Sequence, residues 1–340
     1  MEKLLSNWSS AVKSLPENYV IPVDSRPGDV KVPFCKYIPV VDLKTALSRG
    51  RHHAVQQVLE ASLDFGFFQL INHGVDDDLM IDTMRVAKEF FDMPNEDKAS
   101  LYSEDPNKKC RLFTSVEYEN EKFHFWRDNL HHQCHPVDDF IHLWPQKPIR
   151  YRDVITKYSI QIGNLSTRVL ELIGEGLGLE PDYFGDELTS NRIFSINDFP
   201  PCPCPSLALG LPKHFDPTLT TFVQQDDIYG LQMYRNGEWL GVEPIPNAFV
   251  VILGQQAQVI SNGKITSPAH RVVTNSKDHR TTIVFAMSPK LDSIVEPAKV
   301  LIDDFNPPLY KAFQFKTFRK TFREKKDYGE EVLEDFHVKA

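Results

Sequence analysis

The sequence predicts a mainly β protein with α: an antiparallel sandwich or barrel over residues 191–290, packed against helices from residues 1–190 and from a tail, 291–340. Three observations predict this class. Residues before about 190 carry apolar positions at helical spacing, with a few strands between them. Ile193 to Met287 carries short β-rich runs separated by turn dipeptides, and the tail returns to helical spacing. No fixed-period repeat or low-complexity tract interrupts this order.

Ala54, Val55, Val58, Leu59 and Ala61 to Leu63 share one helical face, and the apolar run Phe65 to Ile71 that follows suits a buried strand. Leu79, Met80, Met84, Val86, Phe90 and Phe91 define a second helix. A third, from Val154 to Ile173, is expected to end at Gly174 and Gly176, before Pro181. In the β-rich part, Asn236-Gly237 lies between Gln232–Tyr234 and Trp239–Val242, which predicts a hairpin; Asn262-Gly263 after Val259-Ile260 predicts a second. Phe249 to Leu253 and Thr281 to Ala286 supply further buried strands, and Phe315, Phe318 and Phe322 share a face of a terminal helix.

The 340 residues hold 38 Lys+Arg and 47 Asp+Glu, a net charge of −9, with 41% hydrophobic residues. That balance argues against nucleic acid as a partner, which needs clustered cations, while leaving room for a small anion. Cys35, Cys110 and Cys134 stand alone and Cys202-Pro-Cys204 lacks two further ligands for zinc, so a reduced, cytoplasmic protein without a disulfide framework is expected. The longest apolar run, Ala248 to Leu253, is far too short to span a bilayer, and no secretory signal is read at the amino terminus.

The chemistry-bearing residues lie in the β-rich part. On a strand, His214 and Asp216 would share a side, and His270, at the start of another strand, could supply a third ligand. Two histidines and a carboxylate on one face leave coordination positions open, the arrangement of non-haem Fe(II) oxygenases. The bland alternative is a pair of hydrogen-bonded structural histidines. Arg280 opens an apolar strand, where a buried guanidinium needs an anionic partner; a dicarboxylate held with the Thr282 hydroxyl would serve, unless Arg280 sits at a strand end and pairs with a surface aspartate.

Asn197-Asp198-Phe199-Pro200-Pro201-Cys202-Pro203, Gly210 to Pro217 around His214, Gly230-Leu231-Gln232, Val242-Glu243-Pro244-Ile245-Pro246-Asn247-Ala248, Ser261-Asn262-Gly263 and His270-Arg271-Val272 are collinear motifs. With Ile38 to Leu43 and Gly66 to Val75 upstream, the chain resembles the plant 2-oxoglutarate/Fe(II)-dependent dioxygenases over nearly its whole length. The resemblance implies a double-stranded β-helix (jelly roll) core flanked by helices, in one domain spanning 1–340. It implies His214, Asp216 and His270 as iron ligands, and Arg280, Thr282 and Asn197 as the 2-oxoglutarate site. Fe(II), 2-oxoglutarate and O2 are the cofactors it implies, with ascorbate as an activator. Ser6-Asn7-Trp8-Ser9 and the passages Val295-Glu296-Pro297 and Pro307-Pro308-Leu309-Tyr310 resemble the hyoscyamine 6-hydroxylase-like group, whose members act on alkaloids.

Three positions depart from the family pattern: Phe199 stands where a tyrosine is usual, Arg280-Thr281-Thr282 replaces Arg-x-Ser, and Gly254-Gln255 replaces Gly-Asp. The first removes a phenol that helps hold the cosubstrate, so a weaker grip on 2-oxoglutarate, by about 1–2 kcal/mol, is expected. The resemblance implies a substrate pocket lined by Phe113 to Trp126, by residues near Phe285 and by the terminal helix. Glu117, beside Phe113 and Tyr118, is the candidate to hold a protonated amine, against the simpler possibility of a solvated acidic edge. His131-His132, His135 and His142 are expected at the surface, as is the basic face Lys316, Arg319, Lys320 and Arg323. The expected activity is oxidation of a small plant metabolite by a monomer with no nucleic-acid or membrane partner: hydroxylation, or epoxidation, desaturation or demethylation. A catalytically silent jelly-roll binding protein and an oxidase that dispenses with 2-oxoglutarate are the competing readings.

Overall fold

The computed structural model describes residues 3–29, 32–119, 121–326 and 328–338. A large sheet of eight strands runs in the order β1-β2-β10-β7-β12-β5-β4-β3. Its members are β1 (Val40–Asp42), β2 (Phe67–Ile71), β3 (Cys110–Thr114), β4 (Asp128–Gln133), β5 (Asn191–Phe199), β7 (Thr220–Gln225), β10 (Phe249–Leu253) and β12 (Arg280–Ser288). A smaller sheet, β6-β11-β8-β9, faces it, formed by β6 (Leu209–His214), β8 (Leu231–Arg235), β9 (Glu238–Gly241) and β11 (His270–Val273). The two sheets make the jelly roll, and strands from before residue 190 complete the large one.

Helices α1 (Arg51–Phe65), α2 (Asp77–Asp92) and α3 (Tyr151–Leu177) cover the outer face of the large sheet, and α4 (Phe315–Lys325) belongs to the tail. The hydrophobic cluster on that face joins Val58, Phe90, Ile162 and Val169 of the helices to Phe194, Phe222, Phe249 and Phe285 of the strands, and continues to Phe315 and Phe318. The cluster runs through all three helices, the sheet and the tail, since none of the helices has apolar surface enough to close a core alone. A second cluster fills the space between the sheets: Phe67, Phe199, Val223, Val250 and Ile252 from one, Leu231, Met233 and Val272 from the other, with Val284 against them.

Local chemistry sets the boundaries. Asp76 caps α2, its carboxylate accepting from Leu79 N at 2.8 Å. Gly66 ends α1 at φ +69, where a Cβ would lie 2.0 Å from the Thr266 carbonyl oxygen, so only glycine fits. The predicted Asn236-Gly237 hairpin joins β8 to β9, both residues at positive φ. Two boundaries differ from expectation. α3 continues through Gly174 and Gly176 and stops at left-handed Gly178, because Gly174 is packed inside the core and Gly176 abuts Leu59. Asn262-Gly263 makes no hairpin: Gln255–Ile260 is a helical turn, and the positive φ of these two residues ends it, Gly263 N donating to Gln258 O.

Candidate metal centre and cosubstrate pocket

Strands β6 and β11 pair in antiparallel register with His214 opposite His270, next to irregularities that disturb the ladder just beyond. β6 ends at His214, so Asp216 lies in the following turn rather than on the strand, yet it reaches the same point. Its Oδ1 is 3.9 Å from His214 Nε2 and 3.7 Å from His270 Nε2. Both histidines are oriented by backbone: His214 Nδ1 meets Pro212 O at 2.9 Å and His270 Nδ1 meets Pro268 O at 3.3 Å. A carbonyl only accepts, so each Nδ1 carries the proton and each Nε2 presents its lone pair beside Asp216. Burial, reinforced by His270, pushes the His214 imidazole down to about 3, which keeps it neutral. Asp216 Oδ2 is buried without a partner, and the three ligand atoms lie within 4.8 Å of one another. This donor set fits a divalent iron.

Arg280 opens β12 opposite Phe199, facing the inter-sheet space, and is 2% exposed. Its Nε donates to Ile228 O and its Nη2 to Gln225 Oε1, each at 2.9 Å, while Nη1 is buried with no partner. Among the described residues no carboxylate reaches ion-pair distance of it, so it does not pair with a surface aspartate. Burial pushes the guanidinium down to about 10, the cost that an incoming carboxylate would relieve. Gly230 is what lets β8 pass: a Cβ there would fall 2.8 Å from Arg280 Nε. Thr282, two residues on and facing the same way, accepts from Asn197 Nδ2 at 3.1 Å. Asn197 Oδ1 in turn accepts from Arg127 Nη1 at 2.9 Å and Asn129 Nδ2 at 2.8 Å.

The departures from the family pattern have different consequences. Phe199 is buried beneath the Arg280 guanidinium, 5.2 Å from ring centroid to Cζ, so a cation–π contact stands where a phenol hydrogen bond would be. Gln255 bears on the iron side instead of the cosubstrate: its backbone N donates to Asp216 O at 2.8 Å and its Nε2 to Gly329 O at 2.7 Å. It ties the metal turn to the tail.

A cavity of about 730 Å³ opens beside β6. Its walls include Val116, Glu117, Glu121, Phe125, Pro212 and Tyr328. Glu117 is on that wall. Glu121, not singled out from the sequence, is occupied by the Ser115 hydroxyl and by the backbone N–H of Val116 and Glu117. Phe113 lies on the inner face of β3, opposite Asn129.

The structure corrects the expected positions of Phe285, Tyr118, His132, His131 and Arg319. Phe285 points the other way from Arg280, Thr282 and Val284 and packs in the helix-covered core, 3.7 Å from where a Cβ on Gly163 of α3 would lie; strand parity removes it from the pocket. Tyr118 stacks on His124 at 3.7 Å, with Lys3 over its ring, and so faces the amino-terminal segment. His132 is no surface residue: it is fully buried on β4, its Nε2 2.9 Å from the Tyr151 hydroxyl, and burial pushes it down to about 3. His131 beside it, also expected outside, faces the opposite side of the sheet and meets Ser195 Oγ at 3.1 Å. Arg319, too, is partly enclosed instead of solvated.

Comparison with known proteins agrees with this geometry. Residues 190–289 match the 2OG-Fe(II) oxygenase superfamily and residues 38–147 the non-haem dioxygenase in morphine synthesis N-terminal family. Hyoscyamine 6-dioxygenase of Hyoscyamus niger is 40% identical, over 98% of each chain. The chain belongs to the plant 2-oxoglutarate/Fe(II)-dependent dioxygenases. A second relative of this dioxygenase is 2'-deoxymugineic-acid 2'-dioxygenase of Hordeum vulgare, 40% identical over 95% of this chain and 94% of the other. The solved structure of JOX2 in complex with 2OG, Fe and JA superposes with a TM-score of 0.86 at 31% identity, covering 97% of this chain and 95% of that one. The protein is thus a 2-oxoglutarate-dependent non-haem iron dioxygenase with Fe(II), 2-oxoglutarate and O2 as its cofactors. No helix among the described residues is long and apolar enough to cross a membrane.

Proposed function

We propose that His214, Asp216 and His270 hold the iron, that Arg280 with Thr282 takes the distal carboxylate of 2-oxoglutarate, with Asn197 ordering the floor beside it, and that the cavity beside β6 admits a small plant specialised metabolite for oxidation. The observation that carries this is the unpartnered Arg280 Nη1, on the inter-sheet side of the same jelly roll as a histidine pair whose Nε2 atoms converge on Asp216. An oxidase without 2-oxoglutarate would leave that buried cation uncompensated.

When bound, Fe(II), 2-oxoglutarate and O2 supply the oxidation: 2-oxoglutarate yields succinate and CO2, and hydrogen is taken from a substrate C–H. The chain's own contribution is placement. The Pro212 and Pro268 carbonyls fix the imidazole tautomers, Gln225 and Ile228 O aim the guanidinium, and the apolar inter-sheet cluster limits water near the site. Hydroxylation is the proposed outcome, with epoxidation, desaturation or demethylation open from the same hydrogen abstraction. The relatives named for hyoscyamine and for 2'-deoxymugineic acid make an alkaloid and an organic acid the two substrate classes to assay first. We place the protein in the cytoplasm as a monomer, and ascorbate is its proposed activator.

Anaerobic reconstitution with Fe(II) and 2-oxoglutarate, followed by O2, should give succinate. His214→Ala should lower the rate by about a hundredfold or more, beyond the loss typical of second-layer changes. Succinate formation undiminished in His214→Ala would overturn the metal assignment.

A further inference from the structure

We propose that the inner wall of the large sheet takes a carboxylate of the oxidised substrate on Arg111, Arg127 and Arg319, so that the substrate is an organic acid. This rests on the oxygenase reading and names the substrate class of that site.

Sheet register puts the groups together. β3 pairs β4 with Arg111 opposite His131 and Phe113 opposite Asn129, and β4 pairs β5 with His131 opposite Ser195 and Asn129 opposite Asn197. Since Asn197 stands opposite Thr282, all of these face the space that Arg280 faces. The Arg111 guanidinium lies 3.8 Å and that of Arg127 6.0 Å from the Phe113 ring centroid, so two cations crowd one aromatic side chain. Arg127 is 8% exposed and held by Asn197 Oδ1 and Ser115 O; its Nε is buried with no partner, as is that of Arg111. From the tail, α4 brings Arg319 within electrostatic reach of His131, and Arg323 within reach of both Arg111 and Arg319.

Counter-charge is sparse: Glu121 and Asp128 act on Arg127 without reaching ion-pair distance of it. Among the described residues none of these four arginines is in an ion pair. Glu104, Asp105 and Glu117 act on Arg111 only at longer range, and Glu121 is already engaged by a hydroxyl and two backbone N–H groups. Arg111, Arg127 and Arg319 are crowded and partly desolvated, which is costly unless an anion joins them, while Arg323 is exposed. The cosubstrate cannot serve Arg111 while Arg280 holds it: β12 and β3 are three strand positions apart, about 14 Å at ordinary strand spacing, farther than 2-oxoglutarate reaches. Arg127 also lies within electrostatic reach of His214, which puts this wall next to the iron ligands. The same charges disfavour a protonated amine at Glu117.

The test uses the anaerobic Fe(II)·2-oxoglutarate holoenzyme in equilibrium dialysis with naphthylacetate, phenylbutyrate and decanoate, each beside its primary amide and its amine. Acids should bind about tenfold or more tighter than their amides. In Arg111→Met and in Arg319→Gln that ratio should fall below about threefold, with retention of 2-oxoglutarate as the sign that each variant is folded. Amides or amines binding as well as acids, no acid retained at millimolar concentration, or a preference intact in both variants would each overturn the proposal. So would variants that lose 2-oxoglutarate together with the acid, since the cluster would then serve the cosubstrate. Wild-type protein failing to retain 2-oxoglutarate in an Fe(II)-dependent way would bring down the oxygenase reading itself.

Discussion

The two faces of the large sheet are both buried and chemically opposite. Toward the helices it shows Leu112, Leu130, Phe194, Phe222, Phe249 and Phe285; toward the small sheet, at its β12-β5-β4-β3 end, it shows Arg280, Thr282, Asn197, Asn129, His131 and Arg111. The outer face is held by apolar burial. The inner face is a hydrogen-bonded network with orphaned cationic atoms, an arrangement that makes sense only with ligands present. Neighbouring residues can therefore have unrelated jobs. His132 stacks on Phe194 at 5.1 Å in the core, while His131 turns to the inner face and meets Ser195.

The largest effect expected from breaking this contrast is on the outer face. Phe285→Ala should cost about 3–5 kcal/mol of folding stability, measured by urea unfolding, while 2-oxoglutarate affinity stays within about twofold. A strong loss of cosubstrate affinity in a folded Phe285→Ala protein would return this residue to the pocket.

A smaller effect is a pH slope. Burial holds His132 near 3, below its ordinary 6.5, so below about pH 6.5 the unfolded chain takes up a proton that the folded chain refuses. Stability present at pH 7 is then lost as pH falls, by about 1.4 kcal/mol per unit for this group. Unfolding at pH 7, 6 and 5 should show His132→Phe with a slope shallower by that amount. An unchanged slope would mean that His132 is protonated in the folded protein.

Much of this was legible in the sequence. The His214-x-Asp216 spacing is a weak signal alone, and the family resemblance is what joins it to His270; Arg280 stands out as a charge heading an apolar strand, and the Asn236-Gly237 hairpin follows from turn chemistry. The facing of β12 was not, because a strand buried on both sides lacks the polar-apolar alternation that would orient it, so nothing in the sequence checks the pocket position that the family resemblance implies for Phe285. Arg111, Arg127 and Gln225 went unnoticed as ligand-facing groups for a related reason: their proximity depends on the pairing of strands far apart in the chain. Asn262-Gly263 carries the same positive-φ signal whether it turns a hairpin or ends a helical turn, and local residues do not distinguish the two.

The account stands most directly on the orphaned guanidinium of β12. Anaerobic titration of the Fe(II)-loaded protein with 2-oxoglutarate should give a dissociation constant about a hundredfold weaker in Arg280→Met than in the wild type, the loss expected when a buried charge-assisted pair is broken. An Arg280→Met protein that folds and binds 2-oxoglutarate as tightly as the wild type would contradict it.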